Sequence, residues 1–154
     1  MIIAGIVCFD RLVKYLISSQ MSVGETVPVI ENLFHITYVQ NRGAAFSLME
    51  GEGLFLIGLP VAAITAALIV LFVKRASWSR LLKLSVAFIC GGGLGNLVDR
   101  VFQGYVVDMF DFRVFPVFNI ADIFICLGCG LLLLEVIFAE RKKEKNGGQS
   151  KAGY

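Results

Sequence analysis

The sequence predicts a membrane α-helical fold: four transmembrane helices with a small extracytoplasmic β-sheet. Three observations carry that expectation. The 154 residues are 57% apolar and only 17% charged, where soluble domains average about 25% charged. Long apolar stretches divide the chain into four. Between some of them lie segments whose apolar and polar residues alternate as strands do. A soluble domain of this size has no core large enough to hide so much apolar surface. The 13 phenylalanines exclude disorder. A net charge of +2, with the basic residues in short clusters, excludes a nucleic-acid binder built on a basic face.

The first apolar stretch, Met1 to Ile17, is interrupted by Asp10, Arg11 and Lys14. A cleaved signal peptide carries its charge at the start and an unbroken apolar middle. Charges at mid-helix therefore predict a retained first helix. Glu25 to Phe46 is rich in β-branched and aromatic residues, which fits two or three short strands at the membrane surface or an ordinary loop of strand-like composition. Leu54 to Val73 has no charge and supplies about the 20 residues that an apolar helix needs to cross a bilayer. Leu84 to Val101 predicts a third helix, with Asn96, Asp99 and Arg100 toward its far end. Tyr105 to Phe112 is expected to add another strand. The fourth helix is expected over Ala121 to Ala139, with Asp122 at its start and Glu135 near its end. Residues 1–140 thus read as one integral membrane domain, and 141–154 as a polar cytoplasmic tail expected to fray.

Loop charge predicts the orientation. Lys74, Arg75, Arg80 and Lys83 lie between the second and third helices, and Arg141, Lys142, Lys143, Lys145 and Lys151 follow the fourth. The other two connections contain only Arg42 and Arg113 as basic residues. By the positive-inside rule both termini are cytoplasmic and the strand-like segments face outward.

Ionisable side chains inside spanning helices are costly and point to function. Asp10 and Lys14 stand one helical turn apart and can pair on one face; a plain buried ion pair is the simpler account of them. Asn96, Asp99 and Arg100 fall at i, i+3 and i+4, one polar stripe. Asn119 and Asp122 repeat the i, i+3 spacing at the start of the fourth helix, and Asp108 sits in the segment between, across a short return that includes Pro116. Taken singly, Asp108 reads as a solvated loop carboxylate and Asp122 as a helix-terminal residue favoured by the macrodipole. Together they can form a pair. Two carboxylates sharing a site cannot both ionise cheaply, so they hold one proton between them. One member then acts as base on water and the other as acid, which cleaves an amide without a metal or a covalent intermediate.

These residues also fall into ordered blocks. Asn41-Arg42-Gly43-Ala44-Ala45-Phe46 resembles the Asn-x-Gly-Ala-Ala-Phe signature of the lipoprotein signal peptidase (signal peptidase II) family. Gly95-Asn96-Leu97-Val98-Asp99-Arg100, followed by Gly104-Tyr105-Val106-Val107-Asp108, is similar to the family's next block. Phe118-Asn119-Ile120-Ala121-Asp122 resembles its last, and Asp10 with Lys14 its first-helix Asp-x-x-x-Lys. Met109 stands where the family often has Phe.

The resemblance implies a monomeric, multi-pass aspartyl endopeptidase of the bacterial inner membrane, with no cofactor or metal. Its substrates would be prolipoproteins carrying a diacylglyceryl-modified Cys, cut just before that Cys after arriving laterally through membrane lipid. It implies Asp108 and Asp122 as the catalytic dyad. Asn41, Gly43, Asn96, Asp99, Arg100, Asn119, Asp10 and Lys14 would then bind substrate or support the dyad. In physical terms, Asn41 and Arg100 are suited to donate hydrogen bonds to a substrate carbonyl or oxyanion. Asn96 and Asn119 are suited to orient the dyad, and Asp99 to hold Arg100 or to cap the stripe.

A small proton-coupled carrier or channel subunit is the alternative that uses the same buried acids. Such a carrier is expected to show inverted repeats or matched broken helices, and the sequence has neither. A non-catalytic assembly factor is a third reading. Gly91 and Gly95 have the small-x-x-x-small spacing of closely packed membrane helices. Cys126-Leu127-Gly128-Cys129, inside an apolar helix, reads as small packing residues. His35 is the only histidine, which argues against a His-based metal site or a Ser-His-Asp triad.

Overall fold

The computed structural model describes residues 1–43, 53–73 and 78–151, the side chains of 53–56 and 139–151 excepted. Helix α1 spans Ile2–Gln20. Strands β1 (Thr26–Ile30) and β2 (Phe34–Asn41) follow, then α2 (Gly53–Val73), α3 (Arg80–Gln103), β3 (Val106–Asp111) and α4 (Ile120–Lys151). Among the described residues, Arg80–Gln103 and Ile120–Phe138 are long and apolar enough to cross a membrane, and Ile57–Val73 is a shorter apolar helix.

The strands expected in Glu25–Phe46 and Tyr105–Phe112 form one antiparallel sheet in the order β1-β2-β3. Residues 44–46 of the expected segment, with Ser47, lie outside the described residues. Strand β1 is the edge, where Pro28 removes no ladder bond that the sheet needs. Tyr38, Val107 and Met109 form a buried cluster under the sheet, against which Val13, Ile17 and Met21 of the α1 end pack. Met109 is fully buried, so the apolar bulk at that position is used in the core.

Helix α1 buries Ile6, Asp10 and Lys14, a one-turn spacing that makes a single stripe. Its other faces expose Phe9, Leu12, Tyr15 and Leu16, as a helix surrounded by lipid does. Ser79 caps α3 by accepting the Leu82 N–H. Gly104, at φ +75°, ends α3 by donating its N–H to the Arg100 carbonyl, which turns the chain directly into β3.

Small residues set how closely the helices approach. A Cβ on Gly91 would lie 2.9 Å from the Ile6 side chain of α1, and one on Gly95 2.7 Å from an Asp10 oxygen. The expected packing role of both glycines therefore holds. Toward α4 the fit is tighter still: a Cβ on Gly92 would lie 2.3 Å from the Ala121 carbonyl oxygen. Gly92→Ala is expected to destabilise the protein by about 1–3 kcal/mol, because backbone must move to admit the methyl. Gly130→Ala, inside α4 where a Cβ meets nothing within 4 Å, is expected to stabilise by about 0.5–1 kcal/mol, and thermal unfolding in detergent compares the two.

Two expectations need correcting. In the Cys126–Cys129 segment only Gly128 packs into α3, where a Cβ would lie 2.8 Å from the Ser85 carbonyl; both cysteines are exposed. Of the tail expected to fray, residues 141–151 continue α4, while 152–154 lie outside the described residues. Glu, Arg and Lys are strong helix formers, so a run of them prolongs a helix already nucleated.

Candidate active site

The sheet and three helices meet where β3 lies against the start of α4. Asp108 is on β3 and is 2% exposed. Asp122 occupies the first turn of α4. Asn119 immediately precedes that helix and is completely buried. The Asp122 N–H donates to Asn119 Oδ1 at 3.0 Å, and the Asn119 N–H donates to Asp122 Oδ2 at 3.2 Å. This reciprocal pair is a capping box built from Asn and Asp. It satisfies the helix terminus and also fixes which way the Asn119 amide points. With Oδ1 committed to the helix, Asn119 Nδ2 faces the other acid and donates to Asp108 Oδ1 at 2.6 Å. The two carboxylates are thus joined through one residue, whose backbone N–H donates to Asp122 and whose side-chain amide donates to Asp108.

A second amide completes the cradle around Asp108. Asn41, at the end of β2, donates from Nδ2 to Asp108 Oδ2 at 2.9 Å. Its own Oδ1 accepts the Gly43 N–H at 2.9 Å. Gly43 holds φ at +88°, a conformation that costs a side-chain-bearing residue about 1–2 kcal/mol, and the turn it makes orients the Asn41 amide. Burial pushes the Asp108 carboxyl up to about 6. The hydrogen bonds from Asn41 and Asn119 pull it the other way, and the nearby Asp122 adds to the rise.

Behind the two acids lies a buried ionic cluster. Asn96 of α3 donates to Asp122 Oδ1 at 2.8 Å, while its Oδ1 accepts Lys14 Nζ at 2.9 Å and Asn119 Nδ2 at 3.0 Å. Lys14 also pairs with Asp10 at 2.8 Å and with Asp99 at 2.9 Å. Asp10 accepts the Ala121 N–H at 2.9 Å, which ties α1 to the first turn of α4. Asp99 accepts the Val107 N–H at 3.3 Å, which ties α3 to β3 one residue before Asp108.

The expected Asp10–Lys14 pair is present, but Lys14 is 1% exposed and reaches Asn96 as well. Arg11 of α1 pairs with Asp99, a contact that sequence reasoning missed. Asp99 therefore does not hold Arg100: Arg11 and Lys14 fill its oxygens, and the Arg100 side chain has no partner among the described residues. The only signal for Arg11 was a third charge in an apolar stretch. Asp111, the other acid of β3, joins a separate corner. Its carboxyl accepts from Thr37 Oγ1 at 2.9 Å, from the Arg113 N–H at 2.8 Å and from Arg113 Nη1 at 3.1 Å. The Arg113 N–H above all holds that carboxyl below its ordinary value. Among the described residues, no group of three or more His, Cys, Asp or Glu side chains is placed to hold a metal ion.

Apolar helices, a surface sheet and two amide-bridged carboxylates at their junction define a membrane enzyme. The family model described as signal peptidase (SPase) II matches residues 2–138. The lipoprotein signal peptidase of Halothermothrix orenii is 45% identical over 129 residues, covering 84% of this chain and 88% of the relative. That of Desulfitobacterium hafniense (strain DSM 10664 / DCB-2) is 46% identical over 146 residues, covering 92% and 94%. A solved structure described as a bacterial membrane enzyme superposes with a TM-score of 0.82 at 31% identity, covering 92% of this chain and 88% of that one. The chain belongs to the signal peptidase II family. It is a membrane peptidase of the aspartic type.

Proposed function

We propose that this enzyme removes signal peptides from diacylglyceryl-modified prolipoproteins, cutting before the lipidated Cys with Asp108 and Asp122 as its dyad. The observation that carries the reading is the shared amide: Asn119 is capped onto Asp122 and donates to Asp108. In the reaction, one carboxylate takes a proton from water as that water attacks the scissile carbonyl. The other gives its proton to the departing amine, so the pair returns to a single shared proton. Asn41, held by the Gly43 turn, and Asn96 keep the two acids in place. Arg100 is left to meet substrate.

The exposed apolar side chains of α1 and α4, such as Phe9, Leu12, Leu133 and Phe138, suit a chain surrounded by lipid from which acyl chains enter sideways. Four spanning helices, both termini in the cytoplasm and the dyad near the outer face fit the placement of the basic residues. The protein acts as a monomer, with residues 1–140 as its peptidase domain and 141–154 as a cytoplasmic tail.

Purified protein in detergent micelles is expected to release a signal fragment from a lipidated precursor and not from the unlipidated one. Cleavage of both at equal rates would remove the lipid from the reading, and cleavage of neither would remove the activity.

A further inference from the structure

We propose that Lys14 is a positioning residue: by holding the Asn96 carbonyl oxygen, it fixes the direction in which Asn96 donates to Asp122 and gives Asn119, already oriented by the helix cap, a second acceptor beside Asp108. The inference rests on the reading of Asp108 and Asp122 as the reacting pair.

Amide groups can turn over, exchanging donor for acceptor, unless a neighbour forbids it. Lys14 Nζ only donates, so the atom of Asn96 that it meets at 2.9 Å is the oxygen. The nitrogen of Asn96 is then left to face Asp122 Oδ1. The same Asn96 oxygen accepts Asn119 Nδ2, which reinforces the donation of Asn119 toward Asp108. One cation thereby sets the polarity of Asn96, and the Asn96 oxygen it orients agrees with the polarity that the helix cap gives Asn119.

Charge accounting supports this division of labour. The groups packed behind the pair are Asp10, Arg11 and Lys14 from α1 and Asp99 from α3, with Arg100 following in α3. Lys14 and Arg11 are matched by Asp10 and Asp99 in direct ion pairs. The cluster is matched in charge as a whole, so beyond the direct attraction of Lys14 for Asp108 the negative charge of the pair depends on dipoles, and a dipole of the wrong sign repels where the right one attracts.

The test is the charge-neutral double variant Asp10→Asn/Lys14→Met in the full-length protein, assayed on lipidated precursor across pH. It removes the cation and its partner together and leaves the Arg11–Asp99 pair intact. The expected result is a kcat lower by about tenfold to a hundredfold, from a lost hydrogen bond to a charged group. KM stays within about twofold, and the acid limb of kcat moves up by about one pH unit. A wild-type pH profile overturns the proposal, because a merely structural ion pair would not move it. Should the double variant unfold, Asn96→Asp decides. It keeps an acceptor for Lys14 and takes the donor away from Asp122, and an unshifted acid limb again overturns the proposal. Retained cleavage by Asp108→Asn or Asp122→Asn would instead end the reading of the pair itself.

Discussion

Asp108→Asn and Asp122→Asn are each expected to lower kcat on a lipidated precursor by about a thousandfold or more. Asn has nearly the shape of Asp, so Asn119 and the helix cap can keep close to their present arrangement. What the substitution removes is the ability to take up and release a proton. Since the two acids act on one water and one leaving group, either loss disables the other, and the double variant is expected to be no slower than the slower single one. Single-turnover cleavage with enzyme in excess separates this from weakened binding, and near-normal turnover by either variant would end the dyad assignment. Asp111→Asn is the informative contrast. Asp111 lies only three residues from Asp108 on the same strand, yet it is committed to Thr37 and Arg113, and this variant is expected to keep cleaving.

That contrast shows what could be read from residue order and what could not. Helical periodicity placed Asn96 and Asp99 on one stripe of α3, and the structure finds both facing the α1 charges and the acids. Enrichment in β-branched and aromatic residues located the strands, although burial does not alternate along them: β1 is exposed throughout and β3 is buried except at Phe110. Of the two roles expected for Asp99, holding Arg100 or capping the stripe, the first is not what the structure shows. Neighbours in a helix point about 100° apart, so the partner of a buried carboxylate is set by whichever helix packs against it. Here that helix is α1, which supplies Arg11 and Lys14. The pairing of Asn41 with Asp108 and of Asn96 with Asp122 was equally hidden. Each joins residues from separate elements, and only the approach of α3 to α4 at Gly92 and the sheet register decide such partners. The capping box of Asn119 and Asp122 was legible in principle, since its i, i+3 spacing before an apolar run is a helix-start signature.

Asp108 is also expected to make the protein less stable as pH rises from about 4 to about 6, and Asp108→Asn to abolish that dependence. Burial holds the folded carboxyl at about 6, while its ordinary value is 3.8. Between those values the folded chain retains a proton that the unfolded chain has already released. Stability must then fall with increasing pH, and the whole penalty is present above about 6. At about 1.36 kcal/mol per pH unit the cost from this one group is on the order of 3 kcal/mol. Asp111 works in the opposite sense and outside this window. Its carboxyl is held below 3.8, so its contribution is present above that value and is lost only in stronger acid. The measurement is the difference in unfolding free energy between wild type and Asp108→Asn, in detergent, from pH 4 to pH 7. Wild type is expected to lose about 2 kcal/mol relative to the variant across that range, the rest of the cost falling below pH 4. A flat difference would mean that burial does not raise this carboxyl, and would remove the reason for expecting it to share a proton near neutral pH. The free energy that destabilises the fold and the readiness to exchange a proton with water have one cause: a carboxylate kept from solvent and compensated only in part by the amides of Asn41 and Asn119 and the charge of Lys14.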